Sequence, residues 1–204
     1  MSALVLWLSW LACVSTPVPA DLSVHHLAFG GDLCAGKELN EVIHDPKRSK
    51  VIFSDAPAIL HEADVTVVNL EGVLSGGGRI ADKGEARPIL YRARPEFAAQ
   101  LASSGVDVMT LANNHSGDYG PDALRETIDA LAVVGIDAVG AGIDLDAAQT
   151  PAYRRVGDTV VAFVGADLTN THMFRATEAR PGSLAVAPAD AVATLGPIVA
   201  RARR

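Results

Sequence analysis

Short apolar runs that stop abruptly at polar clusters set the rhythm of this chain. Leu27-Ala28-Phe29 leads into Gly30-Gly31-Asp32, which predicts a first strand over residues 23–31. Residues 65–68 form a β-branched run that gives way to Asn69-Leu70-Glu71-Gly72. From Val106 the pattern repeats and breaks into Asn113-Asn114-His115, with Asp118 just beyond. Runs without apolar and polar alternation are those of strands covered on both faces. Between them the period becomes helical. Phe97 and Leu101 have that spacing within residues 96–104, and Leu124, Ile128, Leu131 and Val134 line one face of residues 121–134. The second of these begins on Pro121, the position in a helix that tolerates proline. Residues 50–61 also read as helical, and residues 136–139 as a further short strand. Residues 152–156 and 159–165 flank Gly157-Asp158, a hairpin signal. Residues 189–204 predict a helix broken at Gly196-Pro197, and the glycine-rich, charged residues 75–86 predict a mobile loop. The order β-α-β-α-β-α-β followed by a hairpin predicts an α/β fold on a mostly parallel sheet.

Composition narrows the function classes. With 204 residues, 49% of them hydrophobic, the chain can bury one sizeable core. A net charge of −7 argues against nucleic acid or an anionic membrane surface as a partner held by bulk charge. Residues 1–20 carry no charged side chain; an apolar run over residues 3–14, broken only by Ser9, is too short to span a bilayer. Pro17, Pro19 and the small residues Val18 and Ala20 follow, immediately before Asp21. This pattern predicts a secretory signal peptide over residues 1–20, with residues 21–204 exported to the cell envelope or beyond and no transmembrane span left after its removal. Cys34 would then be alone, so no intrachain disulfide is expected.

Candidate chemistry follows from topology. The carboxyl ends of parallel strands share one edge of the sheet, where ligands collect. Asp32, then Asn69 and Glu71, then Asn113, Asn114 and His115 would converge there. Carboxylate, amide and imidazole donors suit Mn²⁺, Zn²⁺, Fe or Mg²⁺, any of which can activate water. The plainer alternative is that Asp32 and Asn114 merely cap loops or helix starts; agreement among three strand ends favours a site. The run from Gly31 to Lys37 resembles a phosphate-binding loop, but Glu38 stands where a hydroxyl is required. No G-x-G-x-x-G spacing follows the first strand, which removes the dinucleotide-binding reading. His25, His26, His44 and His61 sit in strand, polar or helical surroundings that suit ordinary structural histidines; His172 and Cys34 are weaker candidates for the same edge.

Three motifs carry a resemblance. Phe29-Gly-Gly-Asp32, Ala63-Asp-Val-Thr-Val-Val-Asn69-Leu-Glu71 and Leu111-Ala-Asn-Asn-His-Ser-Gly-Asp-Tyr-Gly120 resemble, in order and spacing, bacterial capsule-synthesis proteins of the poly-γ-glutamate (CapA) type, within the calcineurin-like metallophosphoesterase superfamily. The resemblance implies a metallophosphatase-like α/β/β/α sandwich with two divalent metal ions at the strand ends. It implies that Asp32 is a ligand of the first metal, Glu71 the bridging carboxylate and Asn114 a ligand of the second, with Asn69 among the donors of the same edge. His115 would protonate a leaving group, Asp118 would orient His115, and Lys37 would hold an anionic substrate. Two departures stand out. Cys34 occupies a place where the superfamily often has histidine, and the sequence stops at Arg204, ahead of the later strand whose His-x-Gly-type motif, followed by a Gly-His-x-His-type motif, supplies further imidazoles in the family. The chain is therefore expected to be the N-terminal part of a longer protein, its fold incomplete and its site partial. The expected function is that of an exported capsule or poly-γ-glutamate biosynthesis protein working beside other envelope biosynthesis proteins. If it is an enzyme, it is a metal-dependent hydrolase of a phosphoester or of an anionic polymer. The alternatives are a non-catalytic envelope protein that binds such a polymer, or an inactive fragment.

Overall fold

Strands that are apolar on both faces need cover on both, and the chain supplies it with helices on one side and a hairpin on the other. The computed structural model describes residues 24–34, 36, 38–43, 45, 47–49, 54–169 and 174–203. Its strands are β1 (Leu27–Leu33), β2 (Val65–Leu70), β3 (Val73–Leu74), β4 (Arg92–Ala93), β5 (Val108–Thr110), β6 (Asp137–Val139), β7 (Ala141–Gly142), β8 (Ala152–Val156), β9 (Thr159–Phe163) and β10 (Gly182–Ser183). Its helices are α1 (Glu38–Ile43), α2 (Ala56–Leu60), α3 (Phe97–Ser103), α4 (Gly120–Val133), α5 (Leu145–Ala148) and α6 (Ala191–Ala202).

The central sheet has the order β1-β2-β5-β6, and every pair in it is parallel. Alternation along each strand divides its side chains between two cores. Val68, Leu70, Met109 and Leu111 meet Phe97 and Leu101 of α3 and Leu124 and Leu131 of α4. Val65, Val67, Val108 and Val139 point the other way, against Val156 and Phe163 of the antiparallel hairpin β8–β9. A third cluster gathers Ala148, Leu184, Val186 and Ile198 beneath α6. The result is a mixed α/β fold built on a parallel sheet, as an α/β sandwich requires. The hairpin leaves Phe29 on the edge strand β1 71% exposed.

Several expected boundaries shift for local reasons. The first strand starts at Leu27 rather than residue 23, and it runs on through Gly30, Gly31 and Asp32. Of the expected helix 50–61, residues 50–53 lie outside the described residues; helix α2 covers Ala56–Leu60, with Pro57 in its first turn, where proline is tolerated. The last helix is not broken at Gly196-Pro197: α6 carries Pro197 inside it, held by the packing of Leu195 and Ile198 on the third cluster. Residues 75–86 lack regular structure as expected, yet they are tied down, with Arg79 and Ala81 amides donating to the carbonyls of Tyr119 and Asp118. The expected signal peptide lies outside the described residues. Among the described residues no helix is long and apolar enough to cross a membrane.

Candidate functional site

A bulge in the edge strand decides where Asp32 points. Phe29 pairs with Val67, but Asp32 pairs with Asn69, so three steps along β1 match two along β2. Side chains alternate with each residue, and one extra residue reverses the face presented beyond it. Asp32 is thereby turned to the face that Asn69 and, two residues on, Glu71 share. Gly72 then takes the chain away at φ +126°, a backbone region that side chains disfavour. A Cβ there would also fall 2.7 Å from the Tyr91 Cβ and 2.8 Å from the Tyr91 carbonyl oxygen.

The amide of Asn69 joins the two carboxylates. Its Nδ2 donates to Asp32 Oδ1 at 2.7 Å and to Glu71 Oε2 at 2.9 Å. Its orientation is set from the next strand end. Asn113 Nδ2 donates to the Leu70 carbonyl at 2.8 Å and to Asn69 Oδ1 at 3.0 Å, while Asn113 Oδ1 accepts from the His115 amide at 2.9 Å. Turning Asn113 over would forfeit both of its backbone bonds, so Asn69 must offer oxygen to Asn113 and nitrogen to the carboxylates.

His115 continues the chain of contacts. Its Nε2 lies 3.5 Å from Glu71 Oε1, its Nδ1 lies 2.8 Å from Asp118 Oδ2, and its ring packs against Tyr91 with centroids 4.6 Å apart. The Asp118 side chain is wholly buried and surrounded by donors: the Tyr91 amide at 2.7 Å on Oδ2 and Lys83 Nζ at 2.9 Å on Oδ1. Beyond Glu71 the site opens as a cleft of about 360 Å³ lined by Asp32, Asn69, Glu71, Asn113, Asn114, Asp167 and Thr169. A larger cavity of about 730 Å³ lies away from it, between the hairpin and α6, with Val160, Val161, Val164 and Val199 in its walls.

Electrostatics separates the carboxylates. Burial pushes the Glu71 carboxyl above its ordinary value; the negative charges of Asp32 and Asp118 push the same way, against His115 and the Asn69 hydrogen bond. No lysine or arginine among the described residues pairs with Asp32 or Glu71, whereas Asp118 has Lys83. Asp32 Oδ1 and Glu71 Oε2 both accept from the Asn69 amide, which sets the two carboxylates side by side at the cleft, and carboxylate oxygens so placed suit a hard divalent cation. Among the described residues no group of three or more histidine, cysteine, aspartate or glutamate side chains is placed to hold a metal ion. The fit is thus to a shared cation completed by water or amide oxygen, short of a self-sufficient pair of metals.

The structure brings Asp32, Asn69, Glu71, His115 and Asp118 into one chain of contacts and places Asn114 in the same cleft. Lys37, His44 and His172 lie outside the described residues. His25 lies 3.8 Å from Asp64, and His61 Nε2 contacts the Ser103 carbonyl, each away from the cleft. Cys34 is a free, half-buried thiol. Sequence reasoning missed Lys83, Tyr91 and Asp167. Lys83 and Tyr91 stand in or beside a segment with no period, so nothing in the pattern distinguishes them. Asp167 did carry a signal: the apolar run 160–166 ends on it, as the other strands end on Asp32 and Asn69. It is buried, its Oδ1 accepting from the Thr169 amide and hydroxyl.

The sequence model of the bacterial capsule synthesis protein family PGA_cap matches residues 26–202. A probable polyglutamine synthesis accessory protein of Mycobacterium tuberculosis is 38% identical over 115 residues, 55% of this chain and 30% of that protein. The PGA biosynthesis protein CapA of Bacillus subtilis is 28% identical over 186 residues, 89% of this chain and 47% of that protein. The capsule biosynthesis protein CapA of Bacillus anthracis is 28% identical over 159 residues, 78% of this chain and 38% of that protein. The chain thus spans about a third to a half of the length of the curated relatives it matches.

Proposed function

The chain belongs to the bacterial capsule synthesis protein family PGA_cap, and on that footing we propose that it serves the making of an anionic capsule polymer of the poly-γ-glutamate kind as an exported, metal-dependent hydrolase of the metallophosphoesterase type. The observation that carries this reading is the unbroken run of contacts from Asp32 through Asn69, Glu71 and His115 to Asp118. Asp32, Glu71 and Asn114 hold the divalent metal, Mn²⁺, Zn²⁺, Fe or Mg²⁺, and Asn69 keeps the two carboxylates side by side. A cation held there would supply Lewis acidity and a positive charge against an anionic substrate. His115 presents Nε2 to the cleft as the atom that exchanges a proton with the reacting group, and Asp118 fixes the opposite side of the ring. Lys37 contributes charge for an anionic substrate, a phosphoester or a polymer amide. The apolar leader of residues 1–20 supports work in the envelope, beside other biosynthesis proteins.

A second reading is favoured by one observation, the lack of a three-residue metal cluster among the described residues. In it the cleft binds the polymer without turning it over. One experiment separates the two. The purified chain is loaded with Mn²⁺ and assayed for bound metal, for hydrolysis of bis(p-nitrophenyl) phosphate and for retention on poly-γ-glutamate. Metal uptake and hydrolysis that both disappear in Asp32→Ala support the hydrolase. Retention that survives chelator, without turnover, supports the binding protein and overturns the hydrolase.

A further inference from the structure

Lys83 is buried in a segment that otherwise looks like solvent-facing loop, with its side chain 5% exposed. Its ammonium donates to Asp118 Oδ1 at 2.9 Å and to the Asn114 carbonyl at 3.2 Å, so it grips the chain on both sides of His115. The Phe174 ring closes over it, 5.9 Å from Nζ to centroid, a distance at which a cation and an aromatic face attract. We propose that Lys83 is a positioning residue for His115, acting through Asp118.

The geometry assigns the tautomer. Asp118 Oδ2 already accepts from the Tyr91 amide, and as a carboxylate oxygen it can only accept, so His115 Nδ1 carries the proton that meets it. Lys83 Nζ, 3.4 Å from the same Nδ1, also only donates. It therefore makes no hydrogen bond to a protonated Nδ1, and it acts on the ring through Asp118. With Oδ1 held by Lys83 and Oδ2 shared by Tyr91 and His115, the carboxylate has one orientation. The imidazole then has its Nε2 directed to Glu71 Oε1, 3.5 Å away. Without Lys83 a fully buried carboxylate would lose its counter-charge and be free to rotate or draw in water, and the ring would lose its fixed partner.

The deduction rests on the proposed function only for the use made of Nε2, and its test needs neither metal nor substrate. Ring nitrogens of the full chain labelled with ¹⁵N-histidine are observed by NMR, the His115 signals being assigned with His115→Gln. Wild type is expected to show the Nδ1–H tautomer with a slowly exchanging, far-downfield proton. Lys83→Met is expected to lose that proton signal and to populate the Nε2–H form, and Lys83→Arg to restore the wild-type pattern. A folded Lys83→Met whose ring signals match wild type overturns the proposal. Should that variant fail to fold, the wild-type chain decides. Protected ammonium protons of Lys83 with nuclear Overhauser contacts to the His115 ring support the assignment, and their absence refutes it. Hydrolysis that fails in every preparation would remove the proposed reaction and leave these signals as they are.

Discussion

The buried carboxylate behind His115 and the pair of carboxylates in the cleft are treated in opposite ways by the chain. Asp118 is sealed from solvent and meets a lysine ammonium, a backbone amide and an imidazole N–H. Asp32 and Glu71 lie nearer the opening and share one neutral amide, while burial and their mutual repulsion push the Glu71 carboxyl upward. The first site is complete within the protein. The second has negative charge that no lysine or arginine among the described residues balances, and this difference is what points to a cation from outside.

The contrast predicts unequal costs. Asp118→Asn should be the most damaging change, since it strands Lys83 in the interior; loss of one partner of a buried pair costs about 3–5 kcal/mol. Asp32→Ala, in an exposed position, should cost less than about 1 kcal/mol in the metal-free protein. Urea unfolding of the two variants measures both, and equal losses would erase the distinction. Gly72→Ala comes next. It places a Cβ against Tyr91 at a positive φ and should cost about 1–3 kcal/mol, a strain typical of such positions.

Glu71→Gln sharpens the comparison through pH. A carboxyl raised in the folded state binds its proton more tightly there than in the unfolded chain. Its contribution to stability is therefore present below the ordinary carboxylate value and lost as pH rises through the folded value. In metal-free protein Glu71→Gln should flatten that decline. Glu126 offers the opposite sign with the smallest effect. The Ser75 hydroxyl, ahead of the Gly76 and Gly77 amides and the charge of Arg92, holds its carboxyl below the ordinary value. Its contribution is present above the ordinary value and lost as pH falls through the folded one, so Glu126→Gln should remove a small loss of stability in acid. Thermal melts across the acid range read both.

How much of this was legible beforehand follows from the kind of signal each residue carries. Strands that end on Asp32, Asn69 and Asn113 announce themselves by composition, and parallel topology alone brings their ends together. The helix α4 is equally plain from Leu124, Ile128 and Leu131. The bulge that turns Asp32 toward Asn69 is a matter of register, which no single strand reveals. Lys83 depends on a contact 35 residues away in sequence, with Asp118, made by a loop that has no periodic pattern to place it. The same holds for the continuity of α6 through Pro197, which depends on the packing of Ile198.

The most direct test of the unbalanced carboxylates is the anomalous scattering of a crystal soaked in Mn²⁺. The account predicts a manganese peak within ligand distance of carboxylate oxygens from both Asp32 and Glu71, and its loss in Asp32→Ala. Manganese bound only elsewhere on the chain, or a peak at the cleft that Asp32→Ala leaves unchanged, would contradict it.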